Sequence, residues 1–209
     1  MKYEWKKEAK NLYLPISKPH VITIPKFKFF MIEGKGDPNT SEEFSEAIGA
    51  LYSLSYTLKM LPKKGLLPEG YFDYTVFPLE GVWDLPEGTK EFDKMDKSSL
   101  IYNIMIRQPD FVTDELAGNI YNTVKVKKPN ALLDKVKFSS IEDGMCVQML
   151  HIGKFDDEAK SFALMDEYCV ENNLKRKAKS HREIYISDFR KTNPDKLKTV
   201  LRYQVEEID

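Results

Sequence analysis

Glu183 and Tyr185 stand two residues apart in the run Glu183-Ile184-Tyr185-Ile186-Ser187. In an extended strand the side-chain period of two puts Glu183, Tyr185 and Ser187 on one face and the two isoleucines on the other. A carboxylate beside a phenol can bind a cation, take a proton from a water, or have its pKa raised by burial. The same face could equally be turned to water, so the pattern defines a candidate and not a mechanism. Aromatic residues supply the second component. Trp83, Tyr71 and Tyr74 lie on and just beyond an expected strand of the first half, and Tyr52 and Tyr56 lie on the helix before it. Single aromatics mostly pack in cores. Tyr and Trp also have polar tips that suit a partly wet wall, and their faces hold flat or cationic ligands at about 1 kcal/mol per contact.

Other chemistries are removed by what the chain lacks. His20, His151 and His181 are far apart, with no HxH, HExxH or cysteine pairing, so nothing predicts zinc. Gly34-Lys35-Gly36 lacks the third glycine of a dinucleotide fingerprint and the GK[ST] ending of a phosphate loop. No GxSxG elbow occurs. The expectation is chemistry without a metal or cofactor. Lys175-Arg176-Lys177-Ala178-Lys179, the strongest basic run, reads as a solvated helix end and loop.

The elements that must position these residues follow from periodicity and breakers. The sequence predicts a strand over 26–33, stopped by the turn cluster Gly34 to Asn39, and a helix opened by a capping box at Thr40 and Glu43. Phe44, Ile48, Leu51, Ser55 and Leu58 recur at helical spacing, and Pro62 ends the helix near Leu61. Strands are expected over 71–78 and 99–107. Thr113 starts a helix that Pro129 breaks, and 130–137 reads as a second short helix. The pattern then recurs. A strand over 145–152 is followed by a helix from Asp156 through Cys169, a strand over 183–187, a helix starting at Asn193-Pro194, and a strand over 201–205. Met31-Ile32-Glu33-Gly34 and Leu150-His151-Ile152-Gly153 are the matched landmarks. The fold class is α+β: two pseudosymmetric β-α-β-β repeats, 26–108 and 141–209, joined by a helical connection over 109–140. They form one domain over 1–209 with a ligand cleft at their junction.

Composition agrees with this. The 209 residues carry 32 Lys+Arg against 33 Asp+Glu, a balance that argues against a dedicated nucleic-acid binder. Hydrophobic residues at 42% and aromatics at 12% supply a sizeable core. No apolar run reaches the length of a membrane span, and the first ten residues do not read as a secretory signal. Cys146 and Cys169 are too few to staple the chain and read as reduced thiols in a cytoplasmic protein.

Several segments, taken in order, resemble the GyrI-like small-molecule-binding family. In the first half these are the stretch from Phe29 to Asn39, the stretch Ala50 to Lys59, and Pro78-Leu79-Glu80-Gly81-Val82-Trp83. In the second half they are His151-Ile152-Gly153, His181-Arg182-Glu183-Ile184-Tyr185, and Lys196 to Tyr203. The resemblance implies an SHS2-type fold of two repeats around a pocket for hydrophobic or planar, including cationic, small molecules. It places the family's pocket carboxylate at Glu183, with Tyr185 beside it. The chain is most similar to a stand-alone subgroup that hydrolyses the cyclopropane of DNA-alkylating natural products within an aromatic cage. That cage maps to Trp83, and then to Tyr71, Tyr74, Tyr56 and Tyr52. Lys154 stands where the family often has proline, and Asp84 where a further aromatic is usual. The implied roles are Glu183 as base and Tyr185 as hydrogen-bond donor, in a monomer or weak dimer that binds neither nucleic acid nor membrane. The alternative is a non-catalytic binder or sensor of hydrophobic cations.

Overall fold

The computed structural model describes residues 2–86 and 97–208. Two short helices, α1 (Trp5–Glu8) and α2 (Lys10–Tyr13), precede the strands β1 (His20–Ile24) and β2 (Phe27–Lys35). The long helix α3 (Glu42–Lys59) follows, then β3 (Leu79–Asp84) and β4 (Ile101–Gln108). The connection holds α4 (Asp114–Lys127) and β5 (Lys137–Ile141). The second half consists of β6 (Gly144–Ile152), α5 (Glu158–Glu171), the short β7 (Leu174–Arg176), β8 (His181–Tyr185) and β9 (Lys198–Glu207).

Local chemistry sets several of these limits. Ser41, not its neighbour Thr40, caps α3 by accepting a hydrogen bond from the Phe44 amide at 3.1 Å. Thr113 caps α4 in the same way through Leu116. Asn193 caps only a single tight turn, Pro194–Lys196, where the sequence suggested a helix. The expected strand over 71–78 is absent. Tyr74 makes one isolated bridge to Tyr3, and the paired strand begins at Leu79.

The sheet runs β1-β6-β9-β8-β3-β4-β2-β5 with antiparallel neighbours, and β7 pairs with β9. Its two ends meet. β1 runs into β2 through Pro25 and Lys26, and β5 runs into β6 through Glu142 and Asp143. Ile24 faces Gly144 and Phe27 faces Ile141, so one register passes through both breaks. With each bent pair taken as one strand, the ring β1/β2, β5/β6, β9, β8, β3, β4 is closed.

A pseudo-two-fold axis relates the halves. β1 corresponds to β5, β2 to β6, β3 to β8 and β4 to β9. Gly36 and Gly153, each one residue past corresponding strands, both take positive φ, 133° and 142°, which favours glycine. The matched glycines are therefore Gly36 and Gly153, and not Gly34 as the sequence suggested. Register makes the match residue by residue. Ile32 faces Ile104, which faces Gly81; Met149 faces Leu201, which faces Glu183. Gly81 thus corresponds to Glu183, Trp83 to Tyr185 and Glu80 to Arg182.

Alternation then sorts side chains inside and outside the ring. Inside, Arg182 donates to Glu80 at 3.0 Å and to both oxygens of Asp143, and lies over the Phe29 ring. Arg202 donates to Gln148 and to the Leu12 carbonyl, and Gln148 donates to the Asn11 carbonyl, so the N-terminal segment seals one mouth. Outside, α3 packs on β2 and β4 while α5 packs on β6 and β7. The two helices stand apart over the β3–β8 seam.

Candidate functional site

At the seam Gly81 pairs with Glu183 and Trp83 with His181. The period of two turns Trp83, His181, Glu183 and Tyr185 outward, into the gap between the helices. Trp83 Nε1 donates to Tyr185 Oη at 2.8 Å, and Tyr185 Oη donates to Glu183 Oε2 at 2.8 Å. His181 Nε2 lies 3.0 Å from Glu183 Oε1; the carboxylate can only accept, which assigns the hydrogen to that nitrogen. Both oxygens of Glu183 are therefore oriented by fixed donors. Gly81 makes the space for this. A Cβ there would meet Trp83 Nε1 at 2.9 Å and Tyr185 Oη at 3.3 Å.

A second carboxyl group completes the site. Glu158, the first residue of α5, is buried and hydrogen-bonded to Glu183, and its Oε1 has no partner among the described residues. Burial, then the charge and hydrogen bond of Glu183, hold its carboxyl well above the usual carboxylate range. Burial and the neighbouring carboxylate thus favour the protonated form of Glu158. Burial also pushes the Tyr185 phenol well above its ordinary value, with the charge of Glu183 adding to the effect. Tyr185 stays a donor, and its proton is committed to Glu183.

The walls are aromatic and aliphatic. Phe44 of α3 packs against Trp83, ring centroids 5.8 Å apart, with Leu79 and Leu100 nearby. Opposite stand Phe155, Tyr185 and Phe189, each ring within 6.4 Å of the next, with Leu197. They enclose a cleft of about 640 Å³ with Glu158 and Glu183 in its lining, large enough for a polycyclic ligand. At the rim Lys97 pairs with Asp156 at 3.1 Å and Lys154 with Asp195 at 3.6 Å.

Of the residues singled out in the sequence, Glu183, Tyr185 and Trp83 come together here. The other four are placed elsewhere. Tyr74 is buried and stacked on Phe77, and Tyr71 packs on Phe111. Tyr52 sits half-buried against the Leu79 backbone, and its neighbour Tyr56 is exposed. None of the four is among the described lining residues. Asp84 turns away from the cleft and accepts from the Leu85 amide. Sequence reasoning missed Glu158, His181, Phe44, Phe155 and Phe189. His181 was legible, since the same alternation that groups Glu183 with Tyr185 includes it. Glu158 was hidden within Asp156-Asp157-Glu158, which reads as an ordinary acidic helix start.

Comparison with known proteins agrees with this fold. A hydrolase encoded by lin2189 of Listeria innocua is 38% identical, covers 99% of this chain and 100% of its own, and superposes with a TM-score of 0.90. A second Listeria innocua structure, also described as a hydrolase, is 37% identical over 98% of this chain and 100% of its own, at 0.88. The C-terminal domain of EcmrR, at 14% identity over 91% of this chain and 98% of its own, shares the fold with a TM-score of 0.53. No curated protein matches the chain. The profile of the GyrI-like small molecule binding domain matches residues 17–205, and the chain belongs to that family.

Proposed function

We propose that this protein binds planar, hydrophobic xenobiotics and hydrolyses the strained cyclopropane of DNA-alkylating compounds. The observation that carries this is the fixed chain Trp83 to Tyr185 to Glu183, opened toward an aromatic cleft and backed by His181. A flat substrate stacks between Phe44 with Trp83 on one wall and Phe155 with Phe189 on the other. These four residues and Tyr185 form the aromatic cage. Glu183 takes a proton from a water, whose oxygen attacks a ring carbon of the cyclopropane. The breaking carbon–carbon bond sends its electron pair into the conjugated carbonyl, whose oxygen takes a proton from solvent as Glu183 returns the one it took. Release of ring strain drives the step, so no metal or cofactor is needed. General-base assistance of this type contributes about 10²–10⁴-fold. Tyr185 orients the carboxylate rather than meeting the substrate, because its hydroxyl already donates to Glu183.

The hydrolase description of the Listeria innocua relatives supports an enzymatic reading. Mass spectrometry of a cyclopropane alkylator after incubation tests it. A gain of one water, lost in Glu183→Gln, is the expected result. A ligand bound but chemically unchanged would show instead a sequestering protein in which Glu183 is a counter-ion.

A further inference from the structure

Cyclopropane opening puts the electron pair on a remote carbonyl and leaves a second carboxyl group of the cleft lining, Glu158, without a role. Glu158 touches Glu183 in the cleft lining and is buried, and its Oε1 has no partner among the described residues. The Glu158 proton lies in its hydrogen bond to Glu183 and is released when Glu183 itself gains a proton, whereas the other donors stay engaged. Tyr185 donates to Glu183, and Lys97 and Lys154 pair with Asp156 and Asp195. A neutral carboxyl next to a carboxylate is the arrangement required when the bond being broken is to oxygen. An alkoxide is a poor leaving group unless it is protonated as it departs.

We propose that this cleft also hydrolyses apolar aryl epoxides to vicinal diols, with Glu183 as base and Glu158 as acid. The proposal rests on the hydrolytic reading of the cleft and extends it to a second class of strained ring. Glu183 takes a proton from water while the water oxygen forms a bond to the benzylic ring carbon. The bond from that carbon to the ring oxygen breaks, and the electron pair on oxygen takes the proton of Glu158. Glu183 is then neutral and Glu158 anionic, and transfer across their hydrogen bond restores both. Water is the only co-reactant. The apolar walls of Phe44, Trp83, Phe155 and Phe189 select the aryl groups.

The test incubates the protein with trans-stilbene oxide in heavy-oxygen water, enzyme in excess, beside a parallel reaction with a cyclopropane alkylator. The expected product is hydrobenzoin carrying one heavy oxygen. Its rate should fall at least about 10²-fold in Glu183→Gln and in Glu158→Gln. Glu158→Asp, which keeps an acid at that position, should recover part of the Glu158→Gln loss and so separates proton donation from folding. Intact epoxide alongside an opened cyclopropane would overturn this inference alone. Both substrates intact would overturn the hydrolytic reading as well. Unlabelled diol in the first turnover, or a wild-type rate in Glu158→Gln, would overturn the assigned roles of water and Glu158.

Discussion

The two halves of the molecule share one frame and diverge where they touch. On the axis the first half has Gly81 and the second has Glu183, paired to each other in the ladder. Two residues further along each strand Trp83 matches Tyr185, and inside the ring Glu80 matches Arg182. Each matched pair is also a contact: the ring nitrogen donates to the phenol, and the guanidinium to the carboxylate. Strict symmetry would set two glutamates against each other at the seam, or two arginines within the ring. Divergence turned self-opposition into complementarity, and the small residue leaves the space that the large ones use.

The largest expected effect comes from removing the carboxylate that the second half sets opposite Gly81. Glu183→Gln keeps the shape of the seam and should lower hydrolysis about 10²–10⁴-fold with little change in stability, read by product formation and urea melts on the same sample. The interior pair ranks next. Arg182→Met leaves Glu80 and Asp143 buried without their cation, at a cost of about 3–5 kcal/mol in chemical denaturation. If the variant were as stable as the parent, that pair would not be what holds the seam. Restoring symmetry by size is milder. Gly81→Ala forces Trp83 or Tyr185 to move and should cost about 1–3 kcal/mol, with a change in Trp fluorescence as the 2.8 Å bond is lost.

Glu158, near the start of the second-half helix, gives a prediction of opposite sign. Its folded-state pKa lies above the ordinary value of 4.5, so the folded protein binds a proton that the unfolded chain gives up. This group's contribution to stability therefore falls as pH rises from 4.5 toward the raised pKa, and is level beyond it. Glu158→Gln should flatten that decline and be more stable than the parent at neutral pH, even as it loses activity. Equal pH profiles from urea titrations would contradict the proton assignment. The smallest contrast is between the helix starts. Ser41→Ala should cost about 1 kcal/mol, whereas Asp157→Ala should cost less, because Asp157 makes no capping bond and serves only an exposed pair with Lys160.

The order of elements in each repeat was legible because it is written in local patterns: the α3 stripe, the Thr113 cap, and the alternation around Glu183. What was not legible depends on distant partners. β1 and β5 are five residues each and gain strand conformation from β6 and β2, residues more than a hundred positions away. The segment holding Tyr71, Tyr74 and Phe77 has the composition of a strand. Its rings interlock with Phe72 and Phe111 as core, and the ladder starts only at Leu79. Composition reports that such residues will be buried, not whether their backbone will be paired. Glu158 was illegible for a related reason. Only the fold reveals that the last of three consecutive acids turns inward.

The closed ring also bears on how the chain is made. β9 lies inside the strand order, held between β6 and β8, but is the last strand in sequence among the described residues. Until β9 has been made, β6 and β8 have nothing between them, and their facing edges stay unpaired. β8, which carries Glu183, thus lacks one of its two neighbours until β9 arrives. A truncation that removes β9 should leave a sticky, helix-decorated half-barrel for chaperones to hold, rather than a smaller binding protein.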